Sequence, residues 1–156
     1  MQFSQAGYEL LKRSEGFRGR VYMDIAGVPT IGYGHRLLHP DSFPDGISEA
    51  DAEDILISDV SHAINAVQRL VKVSLTQGQF DALVDFVFNL GEGRLASSTL
   101  LKKLNAGYYS QIPQELEKWD HAACTEVPAL KVRREAEAAM WRGDNGPATQ
   151  PAGGAA

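Results

Sequence analysis

The sequence has a single cysteine, Cys124, among its 156 residues. An intramolecular disulfide is therefore excluded, and packing alone has to hold the fold together. No apolar run approaches the roughly eighteen residues that a transmembrane helix needs. The N-terminus also lacks the basic start and apolar centre of a signal peptide, so we expect synthesis in a reducing compartment and no membrane span.

The sequence also lacks a concentrated basic stretch. Lys and Arg number 15 against 20 Asp and Glu, which gives a formal net charge of −5. Residues 1–36 and 94–142 are mildly basic, whereas residues 37–93 are acidic. Binding to DNA would require a basic stripe, so we expect no nucleic-acid partner. The length suits one domain, or two small lobes that share a core.

Two acids and a hydroxyl group occupy the stretch from Glu15 to His35. Apolar and polar residues alternate on both sides of Gly27-Val28-Pro29, and this pattern predicts two short strands joined by a turn. Asp24 ends the first strand and Thr30 begins the second, so a tight hairpin brings them close together. Glu15 lies where a preceding helix meets this ribbon.

Such a layout suits glycoside hydrolysis. The reaction needs one protonated carboxyl group for the leaving oxygen and one ionised carboxylate near the positive charge that develops on the sugar. Glu15, beside Phe17, is the better candidate for the proton donor, and Asp24, beside a turn and a hydroxyl group, is the better candidate for the ionised partner. The alternative is that both are ordinary surface acids, which are common in turns.

Apolar spacing and capping residues predict a mainly helical remainder. Ser4 can cap a first helix that ends near Glu15. Ser48 opens an amphipathic helix of roughly 23 residues, which would be about 34 Å long, with a break possible near Ser58. Thr76 and Gln79 form a capping box before a broad apolar stripe. Further helices begin at Ser97 or Ser98, at Ile112-Pro113 and at Pro128, and residues 35–47 are predicted to be a loop without regular structure.

Four polar side chains leave more than one interpretation open. His35 and His39 are spaced by four residues without a third ligand, which is a weak metal signal, so we predict no metal and assign His35 to support of the site floor. Arg133 and Arg134 can either reach the cleft and pair with Glu15 or a substrate carboxylate, or form ion pairs with nearby acids. A cation beside Glu15 would favour its ionised form.

Several motifs occur in the order and at roughly the spacing of one known family. They are Glu15, Asp24, Thr30 and the IGYGH run at 31–35, followed by FVFNLG at 86–91, STLLKKLNAG at 98–107, Trp119 and PALKVRREAE at 128–137. In these motifs the chain resembles the phage-type lysozymes, glycoside hydrolase family twenty-four, often called endolysins. The resemblance extends from about Ser4 to Trp141.

The resemblance implies an α+β, lysozyme-like fold: a small β-ribbon lobe and a larger helical lobe joined by a long helix. Residues 1–142 would form a single lysozyme domain. The small lobe would span about 13–58, and the helical lobe about 59–142 together with the N-terminal helix 4–13. Residues 143–156, rich in Gly, Pro and Ala, are predicted to be a disordered tail.

The resemblance also implies hydrolysis of the β-1,4 bond between N-acetylmuramic acid and N-acetylglucosamine in peptidoglycan, without a cofactor. Glu15 would protonate the glycosidic oxygen, and Asp24 with Thr30 would hold the attacking water. An inverting outcome and a retaining one both stay open, because the separation of the carboxyl groups decides between them. The expected substrate-binding residues are His35, Arg36, Phe88, Asn89 and Ser98.

Three other activities are compatible with parts of the pattern. A lytic transglycosylase would use the same substrate with a lone Glu, a chitinase would share the architecture, and a wall-binding module would keep the fold without turnover. For the lysozyme we expect a monomer that accumulates in the host cytoplasm. It would reach the periplasmic cell wall only after a separate holin permeabilises the membrane.

Overall fold

A computed structural model describes residues 1–122 and 124–143 of the chain. Helix α1 spans Gln5–Glu15, and its N-terminus is capped by the Ser4 side chain, which accepts a hydrogen bond from the N–H of Gly7. The helix ends at Gly16, whose φ of 72° is one that glycine adopts at no steric cost. Glu15 is therefore the last helical residue, next to the sheet that follows.

The small sheet has three antiparallel strands in the order β1-β2-β3. They are β1 (Arg18–Met23), β2 (Pro29–Gly32) and β3 (His35–Arg36). The hairpin of β1 and β2 is confirmed, but the prediction that residues 35–47 have no regular structure is wrong. A tight turn through Gly34, at a φ of 77°, folds β3 back so that Thr30 pairs with Arg36. A 3-10 turn at Pro40–Ser42 follows.

The long helix α2 spans Glu49–Leu70, 22 residues without interruption at Ser58. Ser48 caps it, since its side chain accepts a hydrogen bond from the N–H of Asp51. One face of α2 is buried against the sheet and against helix α3, and Asp51 and Asp54 at its start are exposed. Glu49 and Glu53 instead accept hydrogen bonds from Tyr33 and Lys12. This arrangement is the amphipathic one that the apolar spacing predicted.

Beyond α2, the part of the chain that the structure describes is mainly helical and contains one small two-stranded sheet. Helices α3 (Gln77–Leu90), α5 (Thr99–Asn105), α6 (Ile112–Glu117) and α7 (Pro128–Arg142) agree with the predicted set. The capping box of Thr76 and Gln79 is present at the start of α3. Helix α4 (Glu92–Ala96) and the pair β4 (His121–Ala122) and β5 (Thr125–Glu126) were not predicted, because five-residue and two-residue elements carry no readable periodicity.

Helix α3 is the centre of the core. Its residues from Phe80 to Val87 are all buried, and it packs against α1, α2, α4 and α7. The α+β class is therefore confirmed. The stated lobe boundaries stay a prediction, and the proposed disordered tail lies, beyond Gly143, outside the described residues. Within the described chain, no helix combines the length and apolar character needed to cross a membrane.

Candidate active site

A cleft of about 550 Å³ opens between the small sheet and the C-terminal end of α3. The sheet and the end of α1 form one wall, and residues 88–91 form the other. Six of the predicted site residues line this cleft, together with four side chains or backbone segments that the sequence did not single out. The lining residues are Glu15, Asp24, Thr30, Arg36, Phe88 and Asn89, with Tyr22, Gly34, Leu90 and Gly91.

Glu15 is held at a defined position in this cleft. Its Oε1 accepts a hydrogen bond from Nη1 of Arg133 at 2.7 Å. Its Oε2 lies against the backbone of Gly34, where a Cβ would come within 2.7 Å of that oxygen. Glycine at this position therefore leaves room for the carboxyl group, in addition to permitting the turn.

Asp24 and Thr30 meet through the backbone of the turn between β1 and β2. Asp24 Oδ1 accepts a hydrogen bond from the N–H of Val28 at 2.9 Å, and the Thr30 hydroxyl donates to the carbonyl oxygen of Val28 at 2.9 Å. The Thr30 proton is therefore committed to the backbone, and its oxygen can only accept a hydrogen bond from a further group. Asp24 Oδ2 lies 3.4 Å from Nη2 of Arg36.

A second cavity of about 460 Å³ continues from the first and shares Arg36 and Phe88 with it. His35 lines this second cavity, and its Nδ1 lies 2.7 Å from Oδ2 of Asp59 on α2. The contact ties β3 to the long helix, and a supporting role of His35 in the site stays a prediction. His62 also lines this cavity.

Ser98 lies apart from both cavities. It is buried, its hydroxyl donates to the carbonyl oxygen of Leu95 at 2.7 Å, and it accepts from the N–H of Leu101 at 3.0 Å. These bonds make it the N-cap of α5. The structure therefore brings together every predicted site residue except Ser98.

The two arginines of α7 have different partners. Arg133 contacts Glu15, as in the first of the two interpretations, in which an arginine reaches the cleft. Its other nitrogen atoms make a bidentate contact with Asp85 at 2.8 and 2.9 Å. Arg134 instead lies 3.0 Å from Glu137 and donates to Oδ1 of Asn89 at 2.7 Å. Each of the two guanidinium groups thus binds a side chain that lines the cleft.

Asp85 is the site residue that the sequence analysis missed. It is fully buried within the apolar stripe of α3. Burial works against its ionised form, yet the Arg133 guanidinium outweighs burial and holds the pKa of Asp85 below its usual value. Burial likewise opposes the charge of Arg133, but Asp85 and then Glu15 outweigh it and raise the pKa of Arg133. Asp85 and Asp81 are both buried acids within the largely apolar stripe of α3, and such acids were the available signal.

Metal binding has little support in the described part of the chain. Between residues 1 and 143, leaving out 123, no three side chains of His, Cys, Asp or Glu group closely enough to hold an ion. His35, the first of the two spaced histidines, is paired with Asp59 instead.

Comparison with known proteins places this geometry in a family. Residues 12–137 match the family model described as phage lysozyme. The chain is 41% identical over 145 residues to an endolysin of Acyrthosiphon pisum secondary endosymbiont phage 1, covering 90% of this chain and 98% of that relative. It is 42% identical over 145 residues to an endolysin of Bacillus phage B103, covering 90% of this chain but only 54% of the relative. The chain thus spans about half the length of the latter.

A third relative and two solved structures extend the comparison. A SAR-endolysin of Escherichia phage Mu is 42% identical over 120 residues, covering 77% of this chain and 69% of the relative. The muramidase domain of SpmX from Asticaccaulis excentricus superposes with a TM-score of 0.82 at 33% identity, covering 90% of this chain and 97% of that domain. An endolysin from Escherichia coli O157:H7 phage FAHEc1 gives a TM-score of 0.81 at 35% identity, covering 90% and 93%. The lysozyme-like architecture is confirmed.

Proposed function

The chain belongs to the phage lysozyme family, and from that membership we propose that it hydrolyses the β-1,4 bond between N-acetylmuramic acid and N-acetylglucosamine in bacterial peptidoglycan. Its proposed role is that of an endolysin whose activity causes lysis of the host cell. The observation that carries the proposal is one cleft with Glu15, Asp24 and Thr30 among its lining residues. Glycoside hydrolysis needs such a pair of carboxyl groups beside the scissile bond.

In this proposal Glu15 is the general acid. Arg133 occupies Oε1, so Oε2 is the oxygen that carries the proton and gives it to the glycosidic oxygen. Because Asp85 fixes Arg133 through two hydrogen bonds, Arg133 in turn fixes the orientation of the Glu15 carboxyl group. An acid held in this way is ready to donate without a costly reorganisation.

Asp24 and Thr30 position the attacking water in this mechanism. Since the Thr30 hydroxyl proton is donated to Val28, the Thr30 oxygen accepts one hydrogen atom of the water and the Asp24 carboxylate accepts the other. The lone pair of the water then faces the anomeric carbon, and Asp24 takes up the released proton as general base. A water in this position attacks from the face opposite the leaving group, so we propose an inverting reaction.

The remaining predicted residues are proposed to bind the sugar chain. Phe88 offers an apolar surface to a sugar ring, and Asn89 offers an amide for hydrogen bonding, both on the wall opposite Asp24. Arg36 and His35 lie where the cleft continues into the second cavity, which would extend the binding surface along the polymer. The capping bonds of Ser98 occupy its hydroxyl group, so we assign it no contact with substrate.

The proposal is tested by the clearing of outer-membrane-permeabilised Gram-negative cells. The native protein should lower turbidity and release reducing muropeptides detectable by mass spectrometry, and Glu15→Gln should release almost none. Glu9→Gln, an exposed change on the same helix, is the matched control and should clear like the native protein. Native-level clearing by Glu15→Gln would refute the assigned acid.

The same measurement separates the two other classes of function. Anhydro products in place of reducing ends would identify a lytic transglycosylase. The presence of Asp24 and Thr30 beside Glu15 supports hydrolysis, because a transglycosylase has no need of a positioned water. Retained wall binding without clearing by the native protein would leave a non-catalytic module.

For release, we propose that the protein waits in the host cytoplasm for a holin. The SAR-endolysin among the relatives makes a holin-independent route the alternative. Expression with and without a membrane-permeabilising partner distinguishes them, since lysis in the absence of that partner would contradict holin dependence.

A further inference from the structure

Arg134 is an arginine with no exposed surface, and its hydrogen bonding is directed at the cleft. Its Nη2 donates to Oδ1 of Asn89 at 2.7 Å, and its guanidinium carbon lies 5.2 Å from the centre of the Phe86 ring. Within the described residues, its Nε and Nη1 have no hydrogen-bond partner. Among the described residues, the side-chain hydrogen bond that this buried cation donates therefore goes to a side chain that lines the cleft.

Stability does not account for this arrangement. Removing a cation from water is costly, and apolar residues of similar volume often replace a buried ion pair with no loss of stability. Burial also lowers the pKa of Arg134, because the interior disfavours the charged form of its guanidinium group. The interactions gained for that cost are those with Glu137, Phe86 and Asn89, and of these three residues Phe86 and Glu137 face the interior whereas Asn89 lines the cleft.

The bond also determines which way the Asn89 amide faces. Arginine is purely a donor, so the oxygen of Asn89 has to face Arg134 and the NH2 group takes the remaining directions. Asn89 lines the cleft, and its NH2 group makes no hydrogen bond to any described residue. The free donor of this side chain is therefore available to a molecule in the cleft.

We propose that Arg134 is a positioning residue: it fixes the Asn89 amide so that its NH2 group donates to an acetamido carbonyl oxygen of the bound N-acetylhexosamine chain, and the buried Glu137 keeps Arg134 in place. The inference rests on the proposed function, which supplies a polymer with an acetamido group on each ring. It goes further by naming the contact and the residue that orients it.

Glu137 supports Arg134 from the interior. It is completely buried, with Oε1 3.0 Å from Nη2 of Arg134. The charged groups facing it are Asp85 on α3 and the two arginines of its own helix. Burial raises the pKa of Glu137 well above its usual value, and Asp85 adds to this effect.

Arg133 and Arg134 meet three acids in this cluster, namely Asp85, Glu15 and Glu137. The same group of side chains thus holds Glu15 through Arg133 and Asn89 through Arg134.

The test compares Arg134→Met, Asn89→Leu and the double variant on a peptidoglycan suspension. Each single variant should lose roughly ten-fold in kcat/KM, the value of about one hydrogen bond, mainly through a higher KM. The double variant should be no worse than Asn89→Leu, because Arg134 acts through Asn89. Arg142→Met, a half-exposed arginine on the same helix, is the matched control.

Native kcat/KM in Arg134→Met, or full additivity of the two losses, would overturn the proposal. If Arg134→Met does not fold by circular dichroism, NMR of the native chain decides. Titration with an N-acetylglucosamine trisaccharide should move the side-chain NH2 signals of Asn89 and not those of Asn105, whose amide is bonded to Leu70. Unmoved Asn89 signals overturn the proposal. Because this titration reads binding alone, it remains decisive even if the native protein releases no muropeptides and the proposed function fails.

Discussion

Gly34 controls the space available to the carboxyl group of Glu15. Its φ is 77°, and a Cβ there would lie 2.7 Å from Oε2 of Glu15. Gly27 has a similar φ of 76°, but a Cβ there would meet nothing within 4 Å. The two glycines share the backbone requirement and differ only in the neighbour, which makes them a matched pair.

We expect Gly34→Ala and Gly27→Ala to destabilise the protein to a similar extent, by about 1 kcal/mol or more, because both force alanine to a positive φ. Only Gly34→Ala should also lose most of its activity, since its methyl group displaces the Glu15 carboxyl. Urea unfolding and muropeptide release on the same samples measure the two effects. Equal activities in the two variants would show that Gly34 serves the turn alone.

The buried proton of Glu137 should be visible in the pH dependence of stability. The pKa of Glu137 is raised in the folded state, so the folded chain holds a proton that the unfolded chain releases above about pH 4.5. The folded state binds more protons in this range, and its free energy of unfolding therefore falls as pH rises. Glutamine has nearly the same shape as glutamate and does not titrate.

Glu137→Gln should consequently gain stability relative to the native chain as pH increases from 5 to about 8. Urea midpoints of both proteins at several pH values in this window provide the measurement. A difference between the two proteins that stays constant with pH would contradict a retained proton on Glu137.

At the scale of elements, the contact between His35 and Asp59 joins the sheet to the long helix. The atoms lie 2.7 Å apart, and both side chains are about a third exposed. Partly exposed ion pairs contribute modestly, so a double-mutant cycle with His35→Ala and Asp59→Ala should give a coupling energy of roughly 1 kcal/mol. Strictly additive losses would show that the contact contributes nothing.

Elements were predictable from sequence where periodicity or capping chemistry extended over several residues. The caps at Ser4, Ser48 and Thr76 and the hairpin around Gly27 were read correctly because each depends on local residues. The strand at His35–Arg36 was missed because its two residues take their conformation from pairing with β2.

The candidate site was only partly predictable for a similar physical reason. The carboxyl groups of Glu15 and Asp24 lie within one short stretch, so spacing and resemblance were enough to find them. Asp85, in contrast, contacts Arg133 across 48 positions in the sequence. Whether an acid in an apolar stripe faces water or a buried arginine depends on how α3 and α7 pack, which no local pattern records.

At the scale of the whole molecule, Arg133 connects three helices at the cleft. It extends from α7 to Glu15 at the end of α1 and to Asp85 in the middle of α3. The contact between α1 and α7 therefore includes Glu15, the proposed general acid. We therefore expect the Arg133 guanidinium group to contribute to both the stability and the activity of the protein. Substitutions can separate these two contributions.

Asp85→Asn should cost roughly 3 kcal/mol in the free energy of unfolding, because it leaves the buried Arg133 without its main counter-charge. Replacing both partners, with Asp85→Leu and Arg133→Met, removes the buried charges together and should recover most of that stability. The double variant should nevertheless stay nearly inactive, since nothing then holds Oε1 of Glu15. Chemical denaturation and muropeptide release measure the two properties side by side. Recovery of activity together with stability would mean that Arg133 serves the fold alone and that Glu15 needs no partner to act as the acid.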